Sequence, residues 1–166
     1  MALGMQNTVR SSMYSTLCLL TCIATVPSDL WLIDPAFRGK NVIVEISGRA
    51  EGKWAEGEYD GLTGYVLSVF DPRTETTTRT AQFMPLNANH DKDKVMTVPI
   101  EYLLAVNPTA VGDHAIIMDD PKKGLEVVLR EEAGSGRWTV GPYQAGFAYE
   151  ECAGDRMVKV QKELGS

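Results

Sequence analysis

The chain has 166 residues, with 16 Lys and Arg against 22 Asp and Glu, a formal net charge of -6 and 44% hydrophobic residues. That is enough apolar material for one core or two small ones, and 23% charged with 8% aromatic residues excludes wholesale disorder, a collagen-like repeat and a multi-span membrane protein. The acidic surplus disfavours bulk phosphate backbone as the main ligand, because counterion release needs clustered Lys and Arg.

Residues 1–15 are polar with one cation, Arg10, and residues 16–26 form an uncharged apolar run, TLCLLTCIATV. The run falls short of the roughly 20 residues that span a bilayer, so no transmembrane segment is expected. Two readings stay open. One is a secretory signal with Arg10 in its n-region and small residues at Cys22 and Ala24 for cleavage; the other is a short leader or buried segment without targeting meaning. Cleavage would leave Cys152 as the only thiol, a poor fit to a disulfide-stabilised secreted domain.

From Asn41 onward the texture is all-β. Residues 42–46 are a β-branched run with Val42, Val44 and Ile46 on one face, and residues 64–70 are another. Between them lies a polar stretch with Gly48, Gly52, Gly57 and Gly61, which reads as a long turn-rich loop. Shorter strands are expected at 80–84, 95–98, 115–118, 125–130, 137–140 and 157–160, divided by Pro, Gly, Asn and Asp clusters. Helix is limited to one turn at most over 100–105, and residues 99–110 read as the joint between two compact units. Strands this short and this regularly spaced suggest small barrels or sandwiches. Val42, Val44, Ile46, Val66 and Val69 should fill a first core, and Ala115, Ile117, Leu125, Val128 and Trp138 a second.

An internal repeat ties the two units together. Gly39-Lys40-Asn41-Val42-Ile43-Val44 aligns with Gly112-Asp113-His114-Ala115-Ile116-Ile117, and Gly61-Leu62-Thr63-Gly64-Tyr65-Val66 with Gly124-Leu125-Glu126-Val127-Val128-Leu129. Each unit reads as strand, turn, glycine, strand, with the glycine allowing positive φ or close backbone approach where the second strand begins. On this alignment the first unit carries ten extra residues in its loop. If Gly64 has positive φ, its replacement by Val should cost more than a surface change.

These residues carry a family resemblance. Gly39-Lys40 with Tyr59-Asp60-Gly61-Leu62-Thr63-Gly64-Tyr65-Val66, and Val111-Gly112-Asp113 with Pro121-Lys122-Lys123-Gly124-Leu125-Glu126, resemble KOW motifs, the small SH3-like barrel element of NusG-type transcription factors and several ribosomal proteins. The order of elements from about residue 31 to 140 is similar to the C-terminal tandem KOW region of the NusG-related large subunit of the eukaryotic elongation factor DSIF. The motif glycines are Gly39, Gly61, Gly64, Gly112 and Gly124. Val127 stands where the second motif would have its later glycine, and no segment resembles the NusG N-terminal domain or a repeated phosphorylatable tail.

The resemblance implies a mostly β protein of two tandem SH3-like barrels: an N-terminal leader or extension over 1–30, a first KOW-like barrel over 31–106, and a second, degenerate one with a C-terminal tail over 107–166. It also implies contacts to RNA, DNA or the polymerase surface through the hairpin loops. In the first unit the candidates are Arg38, Lys40, Arg49 and Lys53, cations for phosphate, with Trp54 for base stacking. Trp54 reads equally as a cover for the barrel end, since Glu51, Glu56, Glu58 and Asp60 share the stretch. In the second unit Lys122 and Lys123 stand among more acids than bases, which favours protein contact there.

Catalytic chemistry is thin. His90 and His114 with Asp91, Asp93 and Asp113 read as a solvated turn and a strand start rather than a metal site. Cys18 and Cys22 read as core packing. No Gly-x-Ser-x-Gly, P-loop or dinucleotide fingerprint occurs, and Asp119-Asp120 and Glu131-Glu132 read as solvated surface. The expectation is therefore a non-enzymatic nuclear accessory of RNA polymerase or elongation-complex proteins, with weak RNA or DNA contact, no cofactor, no metal and no small-molecule substrate. The rival is a small secreted β protein with a cleaved signal peptide. A ribosomal or RNA-processing KOW protein fits the acidic balance less well.

Overall fold

β-branched runs broken by glycine, proline and Asn/Asp turns become strands, and among the described residues helix is confined to short 3-10 turns. The computed structural model describes residues 31–47, 52–72, 78–86, 94–142 and 150–162. The expected leader or signal over 1–30, with Cys18 and Cys22, lies outside the described residues, as do Arg49 and His90. The strands are β1 (Ile43–Ile46), β2 (Thr63–Phe70), β3 (Thr80–Pro85), β4 (Met96–Pro99), β5 (Leu103–Ala105), β6 (His114–Ile117), β7 (Glu126–Gly134), β8 (Arg137–Pro142), β9 (Glu150–Ala153) and β10 (Met157–Lys159). They make two antiparallel five-stranded sheets, ordered β4-β3-β2-β1-β5 and β10-β6-β7-β8-β9. Each sheet is a four-strand meander whose fifth strand returns to pair with its first. A single 3-10 turn precedes that return, Ile100–Tyr102 in one sheet and Gly154–Arg156 in the other. The segment expected to make one helical turn over 100–105 is thus half turn and half strand, and the joint between the sheets begins only after Ala105.

The two sheets match position for position up to a second bulge in β7, between Glu132 and Gly134, that β2 lacks. Val44 faces Gly64 and Ala105 as Ala115 faces Val127 and Lys159. β2 is bulged between Val66 and Ser68, and β7 at the same place, between Leu129 and Glu131. The later half of the sequence alignment agrees with this register: Gly61 N donates to Ile46 O at 2.7 Å and Gly124 N to Ile117 O at 2.9 Å. Their φ angles of 78° and 85° are ones that L side chains enter only at a cost. The earlier half is two residues out. Val66 N donates to Val42 O and Leu129 N to Asp113 O, which places Asn41, not Gly39, opposite Gly112 in the repeat. Asn41 and Gly112 both have positive φ, 47° and 89°. A slip of two leaves every side chain on its own face of the strand, so hydrophobic pattern cannot detect it. In the true register the first loop is eight residues longer than the second, not ten.

Gly64 also departs from expectation. It lies in extended β2 without positive φ, and what it provides is space beneath the ring of fully buried Phe83. Val127 at the matched position therefore needs no unusual turn.

Two apolar clusters form. The smaller lies within the second sheet and contains Ala115, Ile117, Val127, Leu129, Trp138, Val140 and Met157. The larger takes Val42, Val44, Ile46, Val66 and Phe83 from the first sheet, Trp31, Leu32 and Phe37 from the segment before it, and Ile116, Met118 and Val158 from the second sheet. Three core expectations change. Val69 is only partly buried against the larger cluster. Val128 is buried but stands on the face of β7 away from Val127 and Leu129, outside the smaller cluster. Leu125 is 37% exposed while its counterpart Leu62 is buried, because the longer first loop brings Trp54 and Tyr59 onto the cluster around Leu62.

The larger cluster ties the sheets together. Ile116 and Val158 are fully buried, whereas their counterparts Glu45 and Leu104 in the first sheet are partly exposed. Backbone bonds continue the contact: Val42 bridges Val160, Lys159 N donates to Val106 O at 2.8 Å, and Gln161 N to Asn41 O at 3.0 Å. Asp113 pins the joint: its carboxylate accepts from the amides of Thr109 and Ala110 at 2.9 and 3.1 Å and pairs with Lys159 at 2.8 Å.

Candidate functional site

Among the described residues the nominated lysines are each engaged in ion pairs. Lys40 is paired with Glu126, Lys53 with Asp60 at 2.7 Å, and Lys122 with Glu150. Lys123 reaches Asp34 at 3.3 Å and Asp120 at 3.8 Å. The Asp34 carboxyl is held below its ordinary value chiefly by the Ala36 amide that it caps, at 2.9 Å, with Lys123 adding to the effect. Asp119, expected as bare solvated surface, pairs with Arg156 at 2.8 Å. Surface pairs of this kind contribute little stability, but each removes a cation from the set available to phosphate.

Trp54 is half-buried against the larger cluster, its ring 5.2 Å from that of Tyr59 at 37°. The cover reading of this residue is the one its packing matches. Its loop is held by three successive residues of positive φ, Ala55, Glu56 and Gly57, a conformation that L side chains adopt only at a cost. Of the motif glycines, Gly61 and Gly124 make turns; a Cβ on Gly124 would also come within 2.9 Å of Ala36 Cβ. Gly112 begins the second repeat.

Gly39 lies with Arg38 in a different place. Among the described residues Arg38 is exposed and has no ion-pair partner. It lines a groove of about 480 Å³ between two walls. One wall is the segment Leu32, Ile33, Phe37, Arg38 and Gly39, held by the Asp34 cap and by Phe37 set edge-on to Trp31 at 5.3 Å. The other is the outer half of β2, from Val66 to Phe70, followed by Asp71. Phe70, 64% exposed, stands at the lip, and Asp71 is tied to Arg79 at 2.7 Å. Sequence reasoning found Arg38 and Gly39 but not Leu67 or Phe70. The trace they leave is a break in alternation, two apolar residues that turn outward, Leu67 at the bulge and Phe70 beyond it.

A second, smaller cleft of about 290 Å³ lies where the sheets meet, lined by Lys40, Asn41, His114, Glu126, Val160 and Lys162 among others. Burial, with the Lys162 charge adding to it, holds the His114 imidazole below its ordinary value, so it is the neutral form that is favoured there. With Lys40 committed to Glu126, the cleft is not a strong anion site.

Among the described residues no group of three or more His, Cys, Asp and Glu is placed to hold a metal ion. No helix among them is long and apolar enough to cross a membrane. The Cys152 thiol is pushed up by burial, away from the reactive thiolate form. No protein-family model matches the chain, and no curated protein matches it.

Proposed function

We propose that this chain is a non-enzymatic binding module of two SH3-like barrels of KOW type, acting in the nucleus on RNA polymerase or its elongation-complex proteins, chiefly through protein contact. The observation that carries the reading is the repeated topology: a bulged four-strand meander, one 3-10 turn and a fifth strand returned to the first, built twice in the same register. That arrangement is the one expected of SH3-like barrels, and the turn glycines Gly61 and Gly124 occupy the motif positions. Protein contact is favoured over nucleic acid because Lys40, Lys53, Lys122 and Lys123 are all engaged with carboxylates, while the groove beside β2 has exposed Leu67 and Phe70 in its lining and one cation, Arg38. RNA or DNA contact is a minor component on this reading.

The test is capture of RNA polymerase by the immobilised chain, run beside RNA gel shifts at two salt concentrations. Capture with weak, salt-insensitive RNA retention is the expected result. RNA affinity that falls steeply with salt would reverse the preference for protein contact.

A further inference from the structure

The groove beside β2 is open along a strand edge. β3 follows β2 as far as Phe70, but β1 follows it only through Tyr65, with one further bond from Val66 N to Val42 O. Beyond that point the chain before β1 has turned away through Asn41 and Gly39, both at positive φ. Residues 67–70 therefore have a neighbouring strand on one side only, among the described residues. An open edge of this kind pairs readily with an added strand, and proteins blunt it with charge where pairing is unwanted.

The second sheet shows that blunting at the matched positions. There the bulge is followed by Glu131 and Glu132, both exposed. In β2 the same two positions are Ser68 and Val69, with Phe70 next. Opposite the uncharged edge stands half-buried Ile33, over the buried side chains of Leu32 and Phe37. At the mouth stands Arg38, a cation with no carboxylate partner among the described residues, while Asp71 at the other end is already neutralised by Arg79.

From these features, and resting on the reading of the chain as a protein-binding module, we propose that the groove takes an extended segment of a partner protein. The segment adds as a strand to the free edge of β2 at residues 67–70, with apolar side chains against half-buried Ile33 and exposed Leu67 and Phe70, and an acidic side chain on Arg38. Main-chain bonds along the edge supply affinity, and the contacts with Ile33, Leu67 and Phe70 and the Arg38 charge supply selectivity.

The probe is a synthetic peptide of alternating valine and threonine with one central glutamate. It is compared with a lysine-centred twin and with a version N-methylated at alternate amides, which cannot donate along an edge. The glutamate peptide should bind about tenfold tighter than the lysine one, a difference of the order expected for one charge-assisted contact. N-methylation on the pairing edge should abolish binding, and Arg38→Glu should invert the charge preference. Phe70→Ser should weaken binding with an unchanged circular dichroism spectrum, since Phe70 is exposed. Equal binding of the N-methylated peptide would overturn strand addition, as would concentration-dependent dimerisation of the chain that Phe70→Ser abolishes. Polymerase capture is run in parallel on the parent and Phe70→Ser chains. Capture of both equally, without peptide binding, removes the groove and leaves the polymerase reading standing. Peptide binding without capture supports the groove and removes the polymerase reading.

Discussion

The ring of Phe83 fills the space that a side chain on Gly64 would need. A Cβ built on Gly64 would stand 2.7 Å from Phe83 Cε2, and closer still to Cζ and to the Met84 carbonyl oxygen. In the second sheet the matched positions hold Val127 and Val140. One sheet fills this part of its core with a glycine and a phenylalanine, the other with two valines. The same exchange recurs nearby: Ala81 with Ile100 in the first sheet becomes Trp138 with Gly154 in the second, where a Cβ on Gly154 would lie 3.3 Å from Trp138 Nε1. Core volume is conserved across the repeat while its residues are not.

Gly64→Val is therefore expected to destabilise by about 1–3 kcal/mol through overpacking rather than through backbone angle. Gly64→Val combined with Phe83→Val, which copies the second sheet, should lose less than the sum of the two single changes. Urea unfolding of the four chains gives the coupling; additive losses would show that the two positions do not share one space.

Asp113 should make stability depend on acid. Burial works against its charge, but the Lys159 ammonium and the amides of Thr109 and Ala110 outweigh it, so the carboxyl titrates below its ordinary value of 3.8. A depressed carboxyl contributes stability above its unfolded-state value and loses it as pH falls through its folded-state value. Asp113→Asn should be less stable than the parent by about 1–2 kcal/mol at neutral pH. The gap should narrow below about pH 4 as the parent's carboxylate is protonated. A gap of constant size across that range would assign the effect to shape alone.

Replacing a left-handed L residue with glycine usually relieves more strain than the added chain freedom costs. Ala55, at φ 48° and ψ 44°, meets that condition. Ala55→Gly should raise the denaturation midpoint at unchanged m, by an amount equivalent to about 0.5 kcal/mol. A lowered midpoint would mean that the loop under Trp54 holds no such strain.

Ile116 and Glu45 occupy matched strand positions but face different surroundings. Ile116→Ala removes a side chain from the cluster shared by the two sheets and should cost about 2–4 kcal/mol. Glu45→Ala should stay within about 0.5 kcal/mol. Similar costs at both positions, read by thermal unfolding, would argue against the shared core.

Strand content was legible where side chains declare it. The β-branched runs of β1, β2 and β6 and the outward glycines of the turns announce themselves. β5 and β9 did not: Leu103-Leu104-Ala105 has the composition of a helical turn, and Glu150-Glu151-Cys152-Ala153 has no strand pattern. Both are strands because a neighbour pairs with them, β1 with β5 and β8 with β9, which is tertiary context rather than propensity. The site was legible in one part only. Arg38 was nominated for its charge, but so were Lys40 and Lys123, whose partners Glu126 and Asp34 lie 86 and 89 positions away. No local window reveals such neutralisation. The groove has the same difficulty, since folding alone brings residues 32–39 against 66–71.

The bridge between Val42 and Val160 sets an order on folding. The first sheet can close as soon as β5 has been synthesised, because its strands are joined by local meanders and one return. The end of the sheet at Val42 must then wait through the synthesis of the whole second sheet for the residues that complete it. Contacts of such long sequence separation form late and slowly. During that interval the first unit exists with an unfinished apolar side, so a nascent chain stalled before β10 is the species most exposed to aggregation and to capture by chaperones.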